Sequence, residues 1–342
     1  MKKFVSFIAL VAVSLSLFAQ EDCVEVPTTL RGTASVRLTR YAHKILPGVF
    51  TVGKDNVGKD KHVIFAQGNL QYQASTNTWR FAEEQYEKLS TNGYTHNGVR
   101  YASGNETAEA NRETQSAWID LFGWGTSGWA ESGAELYQPW SCVGGDNNQS
   151  LKYLAGGNEV DLTGANSDSD WAYHNVIING GVDNSGTSAH IWRVLTSDEW
   201  NYIFNVRTDA ATKFGFGKLM GISGVFLLPD TWDWTPFDGT EFAESNWTPG
   251  TDVNYASANV ITDGDVWTRM EEAGVVFLPT TAYRKGESLS AFAYGYYWSS
   301  TVNSRFSAYF LQFNCATKST LSPTTANQKY RGHAIRPVYH LD

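Results

Sequence analysis

The stretch YGYYWSSTVNSRFSAYFLQFN, residues 294–314, decides how the chain is read. From Phe306 onward, Phe306, Ala308 and Phe310 fall on one side of an extended backbone, and Ser307, Tyr309 and Leu311 on the other. Both sides carry apolar bulk, which describes a strand covered on two faces and not an exposed aromatic ladder. Residues 294–300 read as a strand entering a turn, and 301–305 as the turn or a short loop. Trp298 is then core, and Ser299 and Ser300 bond nearby backbone. Arg336 is expected to tie the last strand to this one by a charge-assisted hydrogen bond. Candidate ligand contacts move outward to Asn303, Ser304 and Arg305.

Working outward, WRVLTSDEWNYIF (192–204) predicts a helix capped by Thr196, with Glu199 as the reciprocal partner and Trp200, Ile203 and Phe204 on one face. Trp192 leads into it. GKLMGISGVFLLP (217–229) reads as a hairpin that stops at Pro229. VWTRMEEAGVVFLP (266–279) reads as a short helix followed by an apolar strand that stops at Pro279. GVFLLP and GVVFLP echo one another, but the flanking sequence does not recur. Earlier, KHVIFAQGNLQYQ predicts two paired strands turning at Gly68 and Asn69, and AEEQYEKL a short polar helix. In ETQSAWIDLFGWGTSGW, Trp118, Leu121 and Phe122 fall on one helical face, and Gly123, Gly125 and Gly128 permit a tight turn. Residues 130–190 are loop-rich, in Gly, Asn, Asp and Ser, and fit either a recognition loop or a solvated excursion.

The N-terminus begins MKKFVSFIALVAVSLSLFAQ. Two lysines, an apolar run and Ala19 predict a signal peptide over 1–19, and hence export to the periplasm, the outer surface or the medium. No later stretch is apolar for long enough to cross a bilayer as a helix. Cys23 follows Glu21 and Asp22, where a lipid-transferring peptidase needs a small residue, so lipidation is not expected. Residues 20–45 read as an extension or edge strand, and 46–342 as one large domain. The chain has 26 Lys and Arg against 35 Asp and Glu, a formal charge of −9. An acidic surface with no basic cluster argues against nucleic acid as a partner. Cys142 and Cys315 form the better disulfide pair in an exported protein, and three isolated thiols remain the alternative.

No HExxH run, CxxC pair or G-x-S-x-G elbow occurs, and no two carboxylates are placed facing one another. Binding has more support. Trp232, Trp234 and Phe237 sit in the turn-rich DTWDWTPFDG (230–239), and Trp247 and Tyr255 follow in an equally irregular region. Their rings offer flat apolar faces to sugars or to protein side chains, or else plug the base of a domain with too small a sheet. Asp230, Asp233 and Asp238, or alternatively Asp161, Asp168 and Asp170, supply oxygens of the kind calcium needs, although neither set has EF-hand spacing. No other cofactor is suggested.

In order, the segments at 192–204, 224–230 and 275–279, GYYWSS, AYFLQFN and the closing YRGHAIRPV resemble a family of exported bacterial paralogous domains, of Bacteroidetes and Fibrobacter type, with a C-type lectin-like fold. They are also similar, more distantly, to the formylglycine-generating sulfatase-modifying fold and to variable receptor-binding proteins. The resemblance covers about residues 46–340. It implies an α+β fold of small irregular antiparallel sheets, short helices and long loops, with Trp192, Glu199, Trp200, Trp298 and Arg336 as structural residues. Leu195 stands where many relatives have proline, and His333 where they have an aromatic. The sulfatase-modifying enzymes use a cysteine pair near the C-terminal part of the fold, and only Cys315 stands there. The expectation is therefore an exported non-catalytic module that binds carbohydrate or an envelope or surface protein, as an adhesin does. The alternatives are a sulfatase-modifying or glycan-processing enzyme and a structural subunit of a surface assembly.

Overall fold

Apolar alternation in FTVGK and HVIF builds the first antiparallel pair, β1 (Phe50–Lys54) and β2 (Asp60–Phe65). The Asp55 side chain accepts from the Val57 and Lys59 N–H groups and so fixes the turn between them. The computed structural model describes residues 23–25, 37–39, 45–89, 94–96, 99–101, 103–105, 114–129, 138–140, 159–181, 190–290, 292–315 and 319–341. The expected leader at 1–19 and Cys142 lie outside them, as does much of the 130–190 segment. In the predicted 20–45 extension, Cys23–Glu25 and Arg37–Thr39 pair as antiparallel strands.

After β2 the chain changes sheet. β3 (Leu70–Gln73) pairs with β4 (Thr78–Phe81) and with β5 (Trp118–Ile119), not with β2 as the sequence suggests. Gly68 and Asn69 form a crossover instead of a hairpin turn. A Cβ on Gly68 would lie 2.5 Å from the Ala82 carbonyl oxygen, so only glycine allows that approach. Both early helices predicted from the sequence are absent. In 82–89, Gln85 turns inward, donating to the Val275 carbonyl at 3.0 Å and accepting from the Phe277 N–H at 2.7 Å. Glu87 is buried on Gln71 and on the Glu83 N–H. These inward bonds replace the solvated face of a helix. In 113–122, Trp118 and Ile119 join a sheet and Phe122 bridges His333, so tertiary pairing overrides the helical spacing.

The described part of the 130–190 segment holds a one-turn helix, α1 (Trp171–His174), capped by Asp170. Then come β6 (Trp192–Arg193) and α2 (Ser197–Asn201), which ends in a π-turn over Tyr202–Val206. The capping box is formed as predicted: Glu199 N–H donates to Thr196 Oγ1, and Thr196 N–H to Glu199 Oε2. Arg193 forks onto the same carboxylate with two 2.7 Å bonds. Trp200, Ile203 and Phe204 are buried beneath it.

β7 (Phe214–Leu219) and β8 (Ile222–Leu227) form the expected hairpin. Its two turn residues, Met220 and Gly221, both have positive φ, as a type I′ turn requires. β9 (Val260–Ile261) pairs with β7, and α3 (Gly264–Glu272) leads to β10 (Val276–Pro279). The two echo segments are sheet neighbours, since β10 pairs antiparallel with β8.

β11 (Tyr294–Ser304), β12 (Ser307–Asn314) and β13 (Thr320–Gln328) form a three-stranded antiparallel sheet with β12 in the middle. Phe310 belongs to one hydrophobic cluster, and Leu311 and Phe313 to another, so β12 is covered on both sides. The strand runs further than the sequence suggests. Ser304 faces Ser307, which leaves a two-residue turn at Arg305 and Phe306 in place of a loop over 301–305. Phe306 is thus 41% exposed. Gly295 lies under Phe313, whose ring a Cβ would meet at 2.0 Å. Ser299 Oγ donates to the Tyr309 carbonyl as expected, whereas Ser300 Oγ is buried with no partner among the described residues and it is the Ser300 backbone that bonds Leu195 and Leu162.

β14 (Val338–His340) lies between β6 and β2 in the first sheet. The segment leading to it corrects the reading of Arg336. That guanidinium is fully buried and donates to the carbonyls of Ala66, Gln67 and Phe277, not to the 294–304 strand. What joins the last segment to β11 is backbone: Ala334 N–H to the Tyr296 carbonyl and Trp298 N–H to the Ala334 carbonyl. The result is an α+β architecture of several small, open, mostly antiparallel sheets around three aromatic-rich clusters. Truncating Arg336 to Ala strips three buried carbonyls of their donor. At about 1 kcal/mol or more each, the expected loss is about 3 kcal/mol or more. Urea unfolding checks this, and Arg336→Lys, which keeps the charge but not the fork, is expected to recover only part. A midpoint for Arg336→Ala equal to the parent's would contradict the assignment.

Candidate functional site

Pro229 ends the strand run after β8, and the next residue anchors the loop. The Asp230 carboxylate accepts from Thr51 N–H at 2.5 Å, Thr51 Oγ1 at 2.7 Å and Arg207 Nη1 at 3.1 Å. Asp233 then accepts from the Thr235 N–H and sets the short 3-10 turn Thr235–Phe237. This geometry gathers Trp232, Trp234, Phe237 and Trp247, four of the residues singled out in the sequence, around Phe242, which the sequence reading missed. The centroids of their four rings lie 5.4–5.8 Å from Phe242. Trp232 stacks on Phe237 at 5.1 Å and meets Trp234 edge-on at 5.3 Å.

Phe237 and Phe242 are buried, so Phe237 is a plug and not a ligand face. Trp232, Trp234 and Trp247 are half-buried, among exposed Asp233, Asp238, Glu244 and Asn246. Trp247 is oriented by its indole N–H, which donates to the Thr212 carbonyl at 2.9 Å. Arg269 crosses the Phe237 ring at 5.8 Å and donates to the Pro236 carbonyl. The cluster closes the outer side of the core formed by β8, α3 and β10.

The other candidate residues do not join it. Tyr255 packs on the second cluster under the Lys218 ammonium. Asn303 and Ser304 bond Ser307, and the Arg305 N–H donates to Glu159, all at the β11–β12 turn. The proposed calcium ligands are dispersed. Asp230 serves Thr51 and Arg207, Asp233 caps a turn, and Asp238 is exposed. In the alternative set, Asp161 accepts from the Val302 N–H, Asp168 pairs with His174, and Asp170 caps α1. Among the described residues no three His, Cys, Asp or Glu side chains converge. Among the described residues Cys315 is a buried free thiol beside the Gly224 carbonyl, and burial pushes it up to about 12; its expected partner Cys142 lies outside those residues.

Asp120, Lys88 and Asp170 are each displaced from their ordinary range first by burial. Asp120 sits at about 6 although it accepts from the Leu89 N–H and Asn105, and Lys88 at about 8 with its ammonium on Thr280 Oγ1. Asp170 also sits at about 6, despite accepting from the N–H groups of Ala172, Tyr173 and Val194. It lines a cavity of about 190 Å³ with Leu162, Ser167, Tyr173 and Arg193. Every oxygen of that carboxylate is engaged by backbone donors, and Arg193 is engaged by Glu199.

No protein-family model, curated protein or solved structure matches the chain. Among the described residues no helix is long and apolar enough to cross a membrane.

The displaced carboxyls carry a sign that can be measured. Between the ordinary 3.8 and about 6, folded Asp120 and Asp170 keep a proton that the unfolded chain has released. Their contribution to stability is therefore full below about pH 4 and lost as pH rises through about 6. Carboxyl carbon titration by NMR is expected to give midpoints near 6 for both. The parent is expected to lose stability relative to Asp170→Asn across that window. Midpoints near 4 would show that these carboxyls are not desolvated.

Proposed function

We propose that the chain is an exported, non-catalytic binding module with a C-type lectin-like fold, and that it recognises carbohydrate through the loop at 230–247. The observation that carries this reading is the placement of Trp232, Trp234 and Trp247 half-exposed around a buried Phe242, on a loop pinned at Asp230. Sugar rings present C–H faces that stack on indole, and their hydroxyls suit the polar rim of Asp233, Asp238 and Asn246. Rigid aromatic side chains lose little entropy on binding, and this loop is already held by its own packing.

A catalytic reading would centre on Asp170 and its cavity, but the carboxylate there is committed to three backbone donors. A partner in the cell envelope would use the same tryptophan surface, with the rings as anchors.

The test is a glycan panel with the exported chain, followed by Trp234→Ala and Trp247→Ala. Saturable binding is expected, weakened about tenfold or more by either substitution, since anchor aromatics contribute 2 kcal/mol or more. Unchanged affinity in both variants would move the site elsewhere. Turnover of a sulfated or glycosidic substrate without saturable glycan binding would replace this reading with an enzymatic one, and capture of an envelope protein alone with a structural one.

A further inference from the structure

The first half of β11 carries a second aromatic surface. Tyr294, Tyr296 and Trp298 alternate onto one face of the strand, opposite Asn314, Gln312 and Phe310 of β12. Tyr294 stacks on Tyr296 at 5.7 Å, and Tyr283 meets Tyr296 edge-on at 5.3 Å. His333 lies flat on Trp298 at 4.0 Å and closes the inner end of the row. Tyr283 and Tyr294 are half-exposed, and Tyr296, between them, is buried to 8% exposure. Among the described residues the hydroxyls of Tyr283, Tyr294 and Tyr296 make no hydrogen bond, whereas buried Tyr297 and Tyr72 both bond theirs. Burial, with the neighbouring phenols, raises Tyr296 to about 12, so it stays a neutral donor at any ordinary pH.

Beside these rings stands a cation that has no counter-ion among the described residues. Arg331 is half-exposed, and its guanidinium lies 4.6 Å over Tyr283. Its Nε donates to Gln328 Oε1 at 2.9 Å, which fixes the plane of the fork and leaves the Nη atoms undirected. Arg193, Arg207 and Arg80 each have a carboxylate partner, whereas Arg331 has none among the described residues. In a chain of net charge −9, a half-exposed guanidinium over an aromatic ring with no carboxylate beside it among the described residues offers a positive site to an anion.

We propose that this face binds an acidic sugar residue, with its carboxylate or sulfate on the Arg331 fork and its ring and hydroxyls against Tyr283, Tyr294 and Tyr296. The guanidinium matches a planar or tetrahedral anion through two parallel donors. The three phenols offer both flat faces and hydrogen-bonding groups, which a sugar uses and a simple anion does not. No residue of the tryptophan loop takes part, so the proposal stands independently of the function proposed for that loop.

The test is calorimetric titration of the full chain with tetragalacturonate, sialyllactose, a chondroitin sulfate tetrasaccharide and neutral lactose, with sodium sulfate and an Asp/Glu-rich peptide as further probes. At least one acidic sugar is expected to bind about tenfold or more tightly than lactose, and less tightly as salt is added. Arg331→Gln is expected to lower that affinity about tenfold or more, with Arg331→Lys in between, and Tyr283→Phe to weaken it further. The titrations are repeated in the Trp234→Ala background, which removes binding at the loop, and there too Arg331→Gln is expected to lower the acidic-sugar affinity about tenfold or more. Equal binding of acidic and neutral sugars, no binding of any acidic sugar, or an Arg331→Gln variant that binds like the parent would overturn the proposal. Sulfate or the acidic peptide binding as tightly as the sugars would overturn it as well.

Discussion

The architecture depends on the buried passage of residues 332–338 through the middle of the molecule. Gly332 exchanges backbone bonds with Arg284, His333 with Phe122, and Ala334 with Tyr296 and Trp298. The Ile335 carbonyl takes the Leu70 N–H, and the Pro337 carbonyl takes the Ala66 N–H. Between them, Arg336 reaches sideways to Ala66, Gln67 and Phe277. A guanidinium with no carboxylate beside it is costly to bury, and burial lowers it to about 10, yet it remains charged. It is tolerated because three carbonyls point at it. Those carbonyls belong to the crossover between two sheets and to β10 of a third, so one cation satisfies backbone that the sheet ladders leave over.

Where the sequence was legible, a local chemical device was complete within a few residues. Thr196 and Glu199 form their capping box, Met220–Gly221 makes the type I′ turn, and Pro229 and Pro279 stop their apolar runs. The doubled apolar faces of 307–314 placed β12 at the centre of its sheet. Reading failed where the partner lies far away in the chain. The polar run at 82–89 looks helical until Gln85 and Glu87 are seen to serve buried donors and acceptors. Trp118 keeps helical spacing with Leu121 and Phe122, yet it belongs to a strand that exists only because β3 lies beside it. The partners of Arg336 are main-chain carbonyls, which have no signature in a sequence.

The same division holds for the sites. Trp232, Trp234 and Trp247 stand out in any reading, but the residue that organises them, Phe242, is an ordinary phenylalanine whose role appears only when the loop is closed. Of the carboxylates dense enough to suggest calcium, Asp170 caps a helix, Asp233 sets a turn and Asp230 holds an arginine. Arg331 drew no attention as one basic residue among many. It is distinguished by its place over Tyr283, beside the Tyr294 and Tyr296 rings, which only a three-dimensional arrangement can show.

The route of 332–338 also bears on how the molecule comes to be assembled. Its bonds to segments near residues 66, 122, 277, 284 and 296 span most of the chain, so contact order is high and the central ladder cannot close on a partial polypeptide. A growing chain that has reached Phe313 still lacks the element on which Phe122 and Tyr296 pair, and must stay open at its centre. Such a chain remains loosely structured until synthesis has passed Val338.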